Sequence, residues 1–173
     1  MKIILILLLC TESLYSAGSN FKNYLNIKSK SSMIEIFRKK DIPFSDFGKV
    51  SEYQGVIAEL DEQKNLISQA DIYVFSREEK ISVSTDLCKK YVEKMFGADE
   101  AATLGFNGKV DILESNTGKF CALSLHDSKS KTDPYKFIIL GFINSRMSSL
   151  VWSEKNMTPA LIEAKKNFWI NLR

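Results

Sequence analysis

Residues 109–152 read KVDILESNTGKFCALSLHDSKSKTDPYKFIILGFINSRMSSLVW, and their patterning decides the fold. In Lys119–His126, Cys121, Leu123 and Leu125 point one way by the two-residue period of a strand. Phe120, Ala122, Ser124 and His126 point the other way. Lys109–Glu114 precedes this run across Ser115-Asn116-Thr117-Gly118, a hairpin-sized turn with glycine. After the polar loop Asp127–Pro134, Tyr135–Ile143 and Met147–Trp152 flank Asn144-Ser145-Arg146 in a second hairpin pattern. The segment therefore reads as antiparallel sheet.

Working outward, a helix is predicted on each side. From Ser84 or Thr85 to Phe96, the residues Leu87, Cys88, Tyr91, Val92, Met95 and Phe96 recur at helical spacing on one face. Ser84 or Thr85 can cap the start, and Gly97 stands where a left-handed C-terminal cap is expected. Asp99–Gly105 is expected to hold one further turn. At the C-terminus, Thr158 precedes Pro159 in the favoured first helical position, and Leu161, Ala164, Phe168 and Leu172 form the inner stripe, with Ile162 and Trp169 beside it.

Further upstream, Gly55–Leu60 and Ala70–Ser76 read as strands, and Ile81 and Val83 suggest a returning one. Residues 20 to about 40 are expected to be helical in two pieces. The second starts at a capping box, Ser32 with Glu35, and buries Met33, Ile34 and Phe37. Pro43 ends it, and Pro43–Ser51 reads as loop. Runs of strands with helices between the runs predict an α+β fold: one mainly antiparallel sheet with helices packed on one face.

Met1-Lys2, the aliphatic run Ile3–Leu9 and the small-residue stretch around Ser16-Ala17-Gly18 have the order of a cleaved secretory signal. The organisation predicted is a signal peptide over 1–17 and a single α+β domain over 18–173. The apolar run is too short for a mature membrane span, which needs about 20 residues. Cys10 offers an acylation reading, but Leu9 before it is a poor match to a lipoprotein signal. Hydrophobic residues at 45% and charged residues at 26% are ordinary for a globular protein and argue against disorder. A net charge of +3, spread along the chain among acids, gives no footprint for nucleic acid.

Two of the three cysteines, Cys88 and Cys121, follow the leader, both on surfaces expected to face the core. In an exported chain the pair reads as a disulfide, with two buried free thiols as the other possibility.

His126 is the only histidine, so a several-histidine metal site is excluded, and no CxxC pair replaces one. No G-x-S-x-G elbow or phosphate-binding glycine loop is present. Cys88 near a helix start, His126 as base and Asp127 behind it distantly resemble the layout of papain-like thiol hydrolases, over these residues alone and with no local motif. Cys88 also belongs to the apolar stripe, which argues for packing.

No complete catalytic set, metal site or cofactor motif emerges. The expectation is a secreted or periplasmic, non-catalytic binding protein, such as an inhibitor, an immunity-like protector or an envelope accessory factor. Its partner would be another extracytoplasmic protein. Alternatives are a carrier of a small apolar ligand between sheet and helices, or a thiol hydrolase using Cys88 and His126. A strand such as Gly55–Leu60, if placed at a sheet edge, would be open to pairing with another chain.

Overall fold

A computed structural model describes residues 32–44, 48–75, 82–106, 109–116 and 118–172. The signal-peptide reading and the first predicted helix fall outside these residues.

The C-terminal meander follows the alternation in the sequence. β4 (Asp111–Ser115), β5 (Gly118–His126), β6 (Tyr135–Ile143) and β7 (Arg146–Glu154) pair in order, all antiparallel. The β6–β7 loop is a two-residue turn, because Ile143 pairs with Arg146. Asn144 and Ser145 both adopt positive φ (46° and 70°), which matches the right-handed twist of the flanking strands.

The other half of the sheet is β1 (Ser32–Phe44), β2 (Gly48–Leu60) and β3 (Leu66–Phe75). β3 lies against β7, so the seven strands run in the order β1-β2-β3-β7-β6-β5-β4. The helix predicted from Ser32 is a strand instead. An isolated helix of that length is marginal in water, whereas β1 gains a ladder from Ser32 opposite Glu59 to Phe44 opposite Gly48, interrupted by one register shift between Ile36 and Arg38. The loop predicted over Pro43–Ser51 is correspondingly mostly strand: 43–44 end β1 and 48–51 begin β2. The second correction concerns β2, which lies between β1 and β3 and is no edge. Of the returning strand expected around Ile81 and Val83, Ile81 lies outside the described residues. Residues 82–84 form no strand, and Ser84 is committed to a helix start.

α1 (Thr85–Phe96) starts where predicted. The Leu87 N–H donates to Ser84 Oγ (3.2 Å), satisfying one of the otherwise unpaired amides of the first turn. Gly97 ends it at φ 82°, ψ 147°, a conformation open in practice to glycine alone and more extended than the left-handed cap expected. This bend launches α2 (Ala98–Thr103). The His126 N–H then donates to Leu104 O (2.9 Å), tying the end of α2 to the end of β5. α3 (Pro159–Asn171) is capped by Thr158, whose Oγ1 accepts from the Leu161 N–H (3.2 Å).

The helices cover both faces of the sheet, not the single face expected. α1 and α2 bury Leu87, Cys88, Tyr91, Val92 and Ala101 against Cys121, Leu123, Leu125, Ile138 and Leu140. α3 buries Phe168, Trp169 and Leu172 on the opposite face, against Phe120, Phe137, Ile139, Leu150 and Trp152. The reason lies in β5 and β6, whose two alternating residue sets are both largely apolar and buried. A strand of that kind requires cover on both sides. Edge-to-face or tilted aromatic pairs bind the layers: Phe75 with Tyr91 (5.8 Å between ring centroids), and Phe120 with Trp169 (6.3 Å).

Candidate functional site

The start of α3, the last residues of β7 and the first residues of β3 enclose a cleft of about 390 Å³. α3 contributes Leu161, Ala164, Lys165 and Phe168; β7 contributes Trp152 and Glu154; β3 contributes Leu66, Ile67, Ser68 and Gln69; β2 contributes Glu59. The backbone brings these residues together from one end of the sheet. Leu60 pairs with Leu66 and Glu59 with Ser68 around the β2–β3 turn. That turn is held by Asp61, whose carboxylate accepts from the Gln63 N–H (2.9 Å), the Asn65 N–H (2.7 Å) and Asn65 Nδ2 (2.9 Å). These bonds, the Asn65 side chain's first, hold the Asp61 carboxyl below its ordinary pKa.

Lys165 organises the floor. It occupies a position of the inward-facing stripe that runs Leu161, Lys165, Phe168, Leu172, of which all but the partly exposed Leu161 are buried, and it is only 3% exposed. A lysine buried that far needs a partner. Its Nζ donates to Glu154 Oε1 at 2.5 Å and sits 5.0 Å from the centroid of the Trp152 ring, which adds a cation–π attraction. Burial pulls the Lys165 pKa below its ordinary value; the hydrogen bond to Glu154 and the charges of Glu154 and Glu59 oppose that pull. Glu59 is half-buried, and burial raises its carboxyl pKa against the attraction of Lys165. Among the described residues no hydrogen bond or close ion pair reaches the Glu59 carboxylate. Glu154 therefore holds the ammonium directly, while Glu59 feels its charge without a hydrogen bond. At the rim, Leu66 and Ile67 are 59% and 61% exposed, the large hydrophobic residues most open to solvent among those described.

None of these residues was singled out as functional from the sequence. The C-terminal helical stripe was expected to pass through Ala164, which is exposed, rather than Lys165, which is buried. The signal was present: Leu161, Lys165 and Phe168 are spaced at i, i+4 and i+7, and a lysine on such a face is anomalous.

The residues that were singled out lie elsewhere. Cys88 and Cys121 sit at disulfide distance on the α1 side of the sheet, their Cα atoms 6.6 Å apart. Such a pair is compatible with an oxidising compartment. His126 is exposed at the end of β5 and stacks on Tyr135 (4.7 Å between centroids). It lies an odd number of residues from Cys121 and so faces the α3 side. Asp127 Oδ1 accepts from the Lys129 N–H (2.9 Å), closing a turn. The structure therefore brings Cys88 to Cys121 and separates it from His126 by the thickness of the sheet. No helix among the described residues is long and apolar enough to cross a membrane, and no group of three or more His, Cys, Asp or Glu among them could hold a metal ion. No family model, curated protein or solved structure matches the chain.

Proposed function

We propose that this chain is an exported binding protein that engages another extracytoplasmic protein through the cleft at the start of α3. One observation carries the reading: the exposed Leu66-Ile67 pair borders a recess whose floor holds charged groups that are only partly compensated. Adjacent solvent-exposed aliphatic side chains beside a concave, partly charged surface are the usual composition of a contact site, with an apolar anchor and a polar determinant of specificity. Export is supported by the leader-like residues 1–17 and by the disulfide-distance pair. The charged floor suits a polar partner better than a wholly apolar small ligand. A thiol hydrolase would need Cys88 as a free nucleophile beside His126, and the two lie on opposite faces.

The test is affinity capture from the extracytoplasmic fraction of the native host, comparing the wild type with Leu66→Ser/Ile67→Ser. The expected result is a mature protein starting near residue 18 and a partner that the double variant fails to retain. Equal retention by both proteins, or a cytosolic protein still starting at Met1, would overturn the reading.

A further inference from the structure

We propose that what enters the cleft is a basic side chain, arginine or lysine, presented by the partner polypeptide, with its aliphatic stem on Leu66 and Ile67 and its charged head at Glu59. This rests on the reading of the cleft as a contact site and names the chemistry it selects. The first argument is charge. Lys165 is already hydrogen-bonded to Glu154 and covered by the Trp152 ring, so its ammonium is committed. Among the described lining residues, Glu59 then leaves one negative charge in excess. An incoming anion would have to displace Glu154 from a buried lysine while facing Glu59. An incoming cation completes an alternating arrangement of two carboxylates and two cations.

The second argument is shape. Arginine and lysine carry a long apolar stem and a charged tip, and they bury the stem on apolar surface while the tip keeps polar contacts. The cleft has that layout, with Leu66 and Ile67 at the rim and the Glu59 carboxylate beside them. Glu59 and Leu66 stand at the closed end of the β2–β3 ladder, where Leu60 pairs with Leu66 and Glu59 with Ser68. A guanidinium can also pair with a carboxylate through two parallel hydrogen bonds, a geometry open to the Glu59 carboxylate, which has no hydrogen-bond partner among the described residues. Partial burial, which lifts the Glu59 pKa, makes the unpaired anion costly and its neutralisation by a cation favourable.

The test titrates the isotope-labelled full chain with N-acetyl-arginine amide, followed by amide chemical shifts. N-acetyl-citrulline amide serves as the neutral isostere and N-acetyl-glutamate as the anion. The expected result is saturable shifts at Glu59, Leu66, Gln69 and Lys165, with affinity for the neutral probe lower by about tenfold. Glu59→Gln, a swap that keeps size and removes only charge, should weaken the arginine probe to a similar degree. Exposed Asp111 on β4 provides the control, and Asp111→Asn should change nothing. Equal binding of the citrulline probe, tighter binding of the glutamate probe, or no saturable response would overturn the proposal. If the arginine probe fails while Leu66→Ser/Ile67→Ser still abolishes partner capture, the contact site stands and the basic occupant falls.

Discussion

Lys165 shows how one residue can be misread when only its type is considered. Its charge suggests the solvent side of α3, yet its spacing places it in the buried stripe, where Glu154 and Trp152 receive it. Breaking a buried pair by removing one partner strands the other charge. Lys165→Met should cost about 2–3 kcal/mol, less than for a fully buried pair because Glu154 keeps some exposure to water. Adding Glu154→Gln should recover most of that loss; denaturant melts on the full double-mutant cycle measure the coupling, and simple additivity would refute it. Glu59 makes a prediction of its own about pH. Its carboxyl pKa is raised above the ordinary 4.5, so the folded state favours the protonated form. That contribution is complete at low pH and is lost as pH climbs from about 4.5 through the raised value. The wild type should therefore lose stability relative to Glu59→Gln across that window, as read by thermal melts from about pH 4 to about pH 7. Lys165 acts in a separate, alkaline window: its pKa lies below the ordinary 10.5, so its contribution increases stability as pH rises there.

At the scale of elements, the most legible parts of the chain were those with a local cause. α1 was set by its cap at Ser84 and its apolar stripe, and α3 by Thr158 and Pro159. The β6–β7 hairpin was legible as a turn, but its length was not: Arg146 belongs to the strand, leaving Asn144-Ser145 as the whole loop. Ser145 there carries a side chain at φ 70°, a region costly for residues other than glycine. Ser145→Gly should raise stability by roughly 0.5–1 kcal/mol, with an increased denaturation midpoint and an unchanged slope. The reverse case is β1. Ser32, Glu35 and the apolar residues between them satisfy a helical pattern, and antiparallel pairing with the next strand, β2, overrode it. Propensity is a weak prior where a long ladder competes.

For the molecule as a whole, the link between Cys88 and Cys121 joins α1 to β5, the strand beside the β4 edge of the sheet, and spans 33 residues of sequence. Closing a loop of that size should stabilise by roughly 3–4 kcal/mol in the chain-entropy view. Cys88→Ala/Cys121→Ala should therefore melt well below the oxidised wild type, while the reduced wild type approaches the variant. Mass spectrometry under non-reducing conditions should show the linked peptides. The finding of helices on both faces also has a whole-molecule origin. Each layer is legible in isolation, but which face a helix takes depends on where the chain returns to the sheet. α1 follows β3 and α3 follows β7, strands that are neighbours in space, and the two helices settle on opposite sides.

The sequence by itself determined the elements of local origin: the α+β class, the alternation of β5 and β6, the two caps and the opposite facing of Cys121 and His126. These follow from side-chain periods of two and 3.6 and from capping chemistry, all of which act within a few residues. Only the tertiary structure decided that 32–44 is a strand, that the sheet is covered on both faces, and that Glu59, Leu66, Trp152, Glu154 and Lys165 share one cleft. The first rests on a ladder with the next strand and the others on contacts between residues far apart in the chain, and no local pattern specifies which strand end will meet which helix start.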